Sequence, residues 1–350
     1  MLAAMSRLAF PSVLAASVTA LVACGCNALL DIDEVVFADG PTGGGYGGTS
    51  AGGSSGGSAG AGGSGGTAGS GGSGTAGTGG TAGAGGSGGA GGAVLGAWGT
   101  PQLVHEISDI SADDDDPTFT ADLLELYFNS DRVTAGISDI YVSTRNSPTA
   151  PWGTPQAVVE LNSTADDTNM ALAPDGLTMW FGSERSSANL EIYVSSRPNR
   201  SSSWSSPTIV PELNSPNADV PCAVTADLLT LIIAARTAGV WNLYQATRSS
   251  ATAAWSTPVA IAELNSGASE VATWLSADGL HVYFDSERDG GPPDIYRSTR
   301  ASLLSPFASP TAVTELNTAV DESDPWLSPD ERYIMFVVGP GDRQIYEAFR

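Results

Sequence analysis

A motif of about fifty residues recurs five times between residues 98 and 350, and few folds accept such a period. Trp98, Trp152, Trp204, Trp255 and Phe307 follow one another at intervals of 54, 52, 51 and 52 residues, each trailed three positions later by Pro101, Pro155, Pro207, Pro258 or Pro310. A short apolar run then closes in Glu-Leu-Asn at Glu160–Asn162, Glu212–Asn214, Glu263–Asn265 and Glu315–Asn317, with His105-Glu106-Ile107-Ser108 as the divergent first copy. Each unit continues with two short apolar runs about a turn and then a run holding a tyrosine: Tyr141, Tyr193, Tyr244, Tyr296 or Tyr346. Each tyrosine is followed four residues on by an arginine: Arg145, Arg197, Arg248, Arg300 or Arg350. Runs rich in aromatic and β-branched residues, bounded by Pro, Asp, Gly and Ser, are strands. No run carries a helical period.

Four strands in each unit of roughly 50 residues predict a blade of a β-propeller. The phase predicts how the ring closes. The repeats begin on the Trp strand and end on the Tyr strand, so residues 98–108 can supply the outermost strand of the last blade. The blades then span about 109–161, 162–213, 214–264, 265–316, and 317–350 with 98–108. The expected fold is an all-β, five-bladed propeller of four-stranded antiparallel blades. Closure removes the open sheet edges that a linear array would expose.

The first 93 residues differ in kind. Residues 1–23 hold one early charge, Arg7, and an apolar stretch from Leu8 to Ala23, the layout of an export signal. Residues 24–39 form a short segment. Residues 40–93 are almost wholly Gly, Ser, Ala and Thr and bury too little apolar surface to offset their ordering entropy. A flexible chain of that length spans roughly 40 Å. The propeller is expected over 94–350.

The charge balance narrows the partners. The chain carries 38 acidic against 14 basic residues, a formal charge of −24, and all 14 basic residues are arginine. Such a surface repels nucleic acid and favours a cation, a basic protein or a neutral glycan. Three cysteines, Cys24, Cys26 and Cys222, do not make a disulfide framework. Cys222 reads as a small core residue.

Aligned repeats separate scaffold from candidate chemistry. The Trp, Tyr and following Arg columns read as packing and inter-strand ties. A second arginine column, Arg132, Arg185, Arg236 and Arg288, is expected to meet Asp139, Glu191, Asn242 and Asp294 across a hairpin. One acidic column stands apart. Asp114, Asp167, Asp219, Glu270 and Glu322 each lie eight residues before a hairpin aspartate and just before the innermost strand. These five form the candidate cation or ligand ring near one channel mouth, or else tie their own loops. Asp113, Asp115, Asp116, Asp166, Asp321 and Asp324 add to it. No cofactor is expected. Oxygen-rich loops would suit Ca²⁺, but no D-x-D-x-D-G loop is present. A chain with two histidines, His105 and His281, and no G-x-S-x-G elbow offers no serine-protease or zinc constellation.

Leu21-Val22-Ala23-Cys24 resembles the bacterial lipobox, which implies lipidation of Cys24 and anchoring in the membrane. Gly25, in place of an inner-membrane retention aspartate, favours the outer membrane. Asp324-Pro325-Trp326-Leu327-Ser328-Pro329-Asp330 and Asp294-Ile295-Tyr296 resemble the PD40 repeat, the WD40-like repeat of TolB-type propellers, over all of 98–350. That family implies a binding or scaffolding role at the cell envelope, with a protein or glycan partner, and no catalytic set. The expected function is therefore a lipid-anchored envelope binding module, not an enzyme. The alternative is a glycan-active hydrolase or lyase that uses carboxylates at the channel mouth, roughly 5–9.5 Å apart.

Overall fold

The structure is a computed structural model and describes residues 95–339 and 342–350. The export signal, Cys24 and the Gly/Ser-rich segment lie outside the described residues.

The described chain is an all-β, five-bladed propeller with four antiparallel strands in each blade. β1 (Gln102–Leu103) comes first in the chain. Blade 1 holds β2 (Asp114–Phe119), β3 (Glu125–Thr134), β4 (Ile137–Thr144) and β5 (Gln156–Ala157). Blade 2 holds β6 (Asp167–Leu172), β7 (Thr178–Ser183), β8 (Glu191–Ser196) and β9 (Thr208–Ile209). Blade 3 holds β10 (Asp219–Val224), β11 (Thr230–Thr237), β12 (Val240–Thr247) and β13 (Val259–Ala260). Blade 4 holds β14 (Glu270–Leu275), β15 (His281–Ser286), β16 (Asp294–Thr299) and β17 (Thr311–Ala312). Blade 5 holds β18 (Glu322–Leu327), β19 (Tyr333–Val338) and β20 (Gln344–Phe349), and β1 completes it by pairing antiparallel with β20.

The closure has the chemistry of every other blade. In blades 1 to 4 the arginine after the Tyr strand stacks on the aromatic residue ahead of the outer strand, with guanidinium-to-ring distances of 4.0 to 4.5 Å. In blade 5 the last residue, Arg350, stacks on Trp98 at 4.1 Å. These are cation–π contacts on rings buried in the blade.

The Glu-Leu-Asn motif has a matching role. Asn162, Asn214, Asn265 and Asn317 accept the backbone N–H of Ile140, Ile192, Leu243 and Ile295 at 2.7 to 2.9 Å and donate back to the carbonyl of the same residue. Each amide thus continues the strand ladder where the outer strand has ended, pairing backbone groups that burial would otherwise make costly. In the divergent copy Ser108 takes the same place against Ile345.

The core lies between blades. Tyr127, Ile140, Met179 and Phe181 join blade 1 to blade 2, and Val220, Ile232, Val282 and Phe284 join blade 3 to blade 4. Every innermost strand carries a β-bulge shortly after its first acid. At three of them, Asp116, Asn169 and Asp324, the backbone is left-handed with φ of 51°, 47° and 50°. Asx side chains tolerate that region better than others, and bulges re-aim side chains. This local strain positions the site.

Candidate functional site

The five acids of the predicted ring do occupy equivalent positions, each opening an innermost strand, and each is at most 1% exposed. Their carboxylates turn back into their own loops. Each accepts the backbone N–H of the residue four or five positions earlier: Asp109, Ser163, Ser215, Ser266 or Thr318. Three also meet the second arginine column, as Arg132–Asp114, Arg185–Asp167 and Arg288–Glu270. This corrects the hairpin pairing expected from sequence. Phe128 and Tyr141 flank the Arg132 guanidinium at 5.0 and 4.9 Å, and the same sandwich recurs at Arg185 and Arg288. The rings aim the guanidinium at the strand's first acid rather than across the hairpin. Arg236 donates instead to the Gly239 carbonyl. Burial pushes the Asp114, Asp219 and Glu322 carboxyls above their ordinary value.

One and two residues further along, the bulges bring a different set together at the channel. Asp115 and Asp116 from β2, and Asp324 from β18, place carboxylate oxygens within 4.8 Å of one another. Asp285, from β15, accepts the Asp324 N–H at 3.4 Å. Asp116 is held from blade 2: Thr168 Oγ1 donates at 3.0 Å, the Asn169 N–H at 3.1 Å and Asn169 Nδ2 at 2.8 Å. Arg343, from the turn ahead of β20, donates to Asp115 Oδ2.

Four carboxyls around one guanidinium cannot all ionise cheaply. Burial, reinforced by Asp115, pushes Asp116 up to about 7. Burial pushes Asp285 up to about 7 as well, and holds Asp324 well above the usual range. Asp115 in turn raises the Arg343 guanidinium further, so it stays charged. Three clustered carboxylates are an oxygen set that suits a hard cation such as Ca²⁺; here Arg343 offsets part of their charge.

Above this floor opens a cavity of about 410 Å³. Its lining is mixed. Ser323, Asp324, Asp115, Asp116, Thr168 and Asn169 come from blades 5, 1 and 2, and Leu190, Val220, Trp241 and Val271 add apolar surface, with Asp285 directly across from Val271 in blade 4. Asp166 and Glu287 also line it. Asp116 and Asn169 also border a void of about 10 Å³ beside Pro221, Cys222 and Trp326, room for one water at most. The site is a cup lined by both carboxyls and apolar side chains.

The run Asp113–Asp116 and Asp324 stand out in the sequence as additions to the ring. Trp241, Asp285 and Arg343 do not. Arg343 lies outside both arginine columns, and Asp285 outside the acidic one. That departure from the repeat is the signal that could have found them.

No protein-family model and no curated protein matches the sequence. Among solved structures, the chain is similar to a putative TolB from Agrobacterium tumefaciens, at 16% identity and a TM-score of 0.45 over 67% of this chain and 76% of that one. It is also similar to Zg3597, a family 117 glycoside hydrolase of the marine bacterium Zobellia galactanivorans, at 10% identity and a TM-score of 0.48 over 69% and 85% of the two chains. A thermostable family-43 glycoside hydrolase matches at 12% identity and a TM-score of 0.47 over 68% and 89%. At these identities the likeness is one of fold.

Proposed function

We propose that this protein is a lipid-anchored cell-envelope binding module, a PD40-type propeller of the TolB kind that holds protein or glycan partners at its channel mouth. The observation that carries this reading is the mixed lining of the cup. Carboxyls share it with aliphatic and indole side chains, so the complementary group has an apolar body and a cationic or donor-rich head. A lysine side chain of an envelope protein has that form. The cup lies on a rigid ring, which suits recognition by pre-formed geometry.

Calorimetric titration with a short lysine-containing peptide and its norleucine counterpart tests the reading. The lysine peptide is expected to bind saturably and to weaken about tenfold in Trp241→Ala, as loss of one apolar lining residue implies; the norleucine peptide should not bind. A flat titration for both peptides rejects the cup as a recognition site. Turnover of a polysaccharide panel by the wild type, lost in Asp285→Asn, replaces the reading with a glycan hydrolase.

The anchor rests on Cys24 and its lipobox-like context, and the Gly/Ser-rich segment serves as tether, with the outer membrane as the proposed site. Several acyl chains hold a protein to a bilayer where one does not. Cells expressing the wild type should incorporate labelled fatty acid into the protein and keep it in the membrane fraction; Cys24→Ser should lose both. Unchanged labelling in Cys24→Ser rejects that residue as the anchor.

A further inference from the structure

A second set of groups lies away from the channel, on the outer seam between blades 4 and 5. The face of blade 4 that meets blade 5 carries His281, Tyr283 and Arg297, the last two being cross-strand partners. Antiparallel partners share one face of the sheet. These residues line a cavity of about 320 Å³ together with Thr299, Ser309 and Thr311, and His281 also borders a neighbouring hollow of about 640 Å³. Both volumes are in the range of small-ligand sites.

The repeat shows what is unusual here. At the position of Arg297 the other blades carry Val142, Val194, Gln245 and Glu347. In blade 3 that residue serves an arginine of the next blade, Gln245 accepting from Arg300 at 3.0 Å; in blade 5, Glu347 accepts from the Tyr333 hydroxyl of its own blade. In blade 4 a second cation, Arg297, holds that position instead. Glu331 does the accepting at the seam of blades 4 and 5, from His281 through one carboxylate oxygen and from Arg350 through the other at 3.2 Å. Arg350 also donates to the Tyr283 hydroxyl at 3.2 Å. Arg297 enters none of the ion pairs among the described residues. His281 lines the cavity, and its Nδ1 faces Glu331, so Nε2 is the ring nitrogen that Glu331 does not take.

We infer that this seam binds a small polyhydroxylated carboxylate of the uronic-acid class, with Arg297 gripping the carboxylate, His281 Nε2–H donating to it, and the hydroxyls of Thr299, Ser309 and Thr311 meeting the ligand's own. A planar guanidinium matches a carboxylate with two parallel hydrogen bonds. Both oxygens of Glu331 are engaged, so its repulsion of an incoming anion is muted. It still opposes a dianion more than a monoanion, which selects carboxylate over phosphate. The groups acting on His281 are Glu331, Asp278 and Arg350. The hydrogen bond to Glu331 raises the imidazole above its ordinary value. Anion affinity is therefore greatest while His281 is protonated, and falls as pH rises through its titration.

The chain has only two histidines, so imidazole NMR of the whole protein reads the site directly, with exposed His105 as internal control. Glucuronate is expected to shift the His281 signals saturably, leave His105 in place and raise the His281 titration midpoint, while glucose does none of these. Arg297→Gln should weaken glucuronate by at least about tenfold with an unchanged melting temperature, and Arg297→Lys should recover only part. Parallel, unsaturating shifts of both histidines, or undiminished binding in Arg297→Gln, would overturn the site. Tighter binding of inorganic phosphate than of glucuronate would overturn the ligand class.

Discussion

Asp167→Ala is expected to cost about 3 kcal/mol of folding stability, and Asp219→Ala clearly less, though the two residues are equivalent by repeat. Asp167 is 0% exposed and ties the Ser163 N–H and the Arg185 guanidinium at once. Removing it strands a charge whose side chain is itself only 19% exposed, and breaking a buried pair from one side costs about 3–5 kcal/mol; the partial exposure of Arg185 sets the lower end. Asp219 has no arginine within ion-pairing distance among the described residues and accepts the Ser215 N–H. Its loss leaves an unsatisfied donor, worth about 1–3 kcal/mol. Urea denaturation of the two variants gives the ranking. Equal losses that depend on added Ca²⁺ would show instead that the column acts as one cation-holding ring.

That ranking bears on how far the sequence could be read. Blade number, strand order and closure were legible because each rests on a column: the aromatic residue before the outer strand, the Glu-Leu-Asn amide, the tyrosine and its arginine. Closure was legible from phase alone, and the Arg350–Trp98 stack completes the same column across the ends of the ring. The column logic also located five acids just ahead of the innermost strands. It could not say which way their carboxylates turn, because that depends on the bulge that follows. Asp114 opens β2 and faces its own loop, while Asp115 and Asp116 next to it face the channel.

A column also hides whatever departs from it. Among the described residues, Asp or Asn holds the left-handed backbone at three of the five bulges, at Asp116, Asn169 and Asp324. Blade 3 places Pro221 there, and Val220 beside it joins the apolar lining. The mixed lining of the cup comes in part from those departures. Arg297 and Arg343 likewise lie outside the two arginine columns. In a repeat protein the scaffold is read from what recurs, and the candidate sites from what does not.

The channel floor should give the protein an unusual response to pH. A carboxyl whose folded pKa lies above its unfolded value contributes stability that is fully present below the unfolded pKa and is lost as pH rises through the folded one. Asp116 and Asp285 have an ordinary value of 3.8 and are held at about 7. The folded state therefore binds more protons than the unfolded chain between about pH 4 and pH 7, and stability should fall across that window as pH rises. Each tenfold gain in proton affinity is worth about 1.36 kcal/mol, so the two groups together amount to several kcal/mol. The melting temperature at pH 5 should exceed that at pH 8, the reverse of ordinary acid lability. General repulsion in a chain of charge −24 acts in the same direction, so Asp285→Asn is the needed control. It keeps that repulsion, removes one titrating group, and should flatten the pH dependence while raising stability at pH 8. A wild-type melting temperature that declines steadily from pH 8 to pH 5 would mean the floor is ionised in the folded state. The same protons tie stability to recognition. A cationic head entering the cup must displace them, so lysine-peptide binding should release protons and tighten from pH 5 to pH 7, with the proton count given by calorimetry in buffers of different ionisation enthalpy.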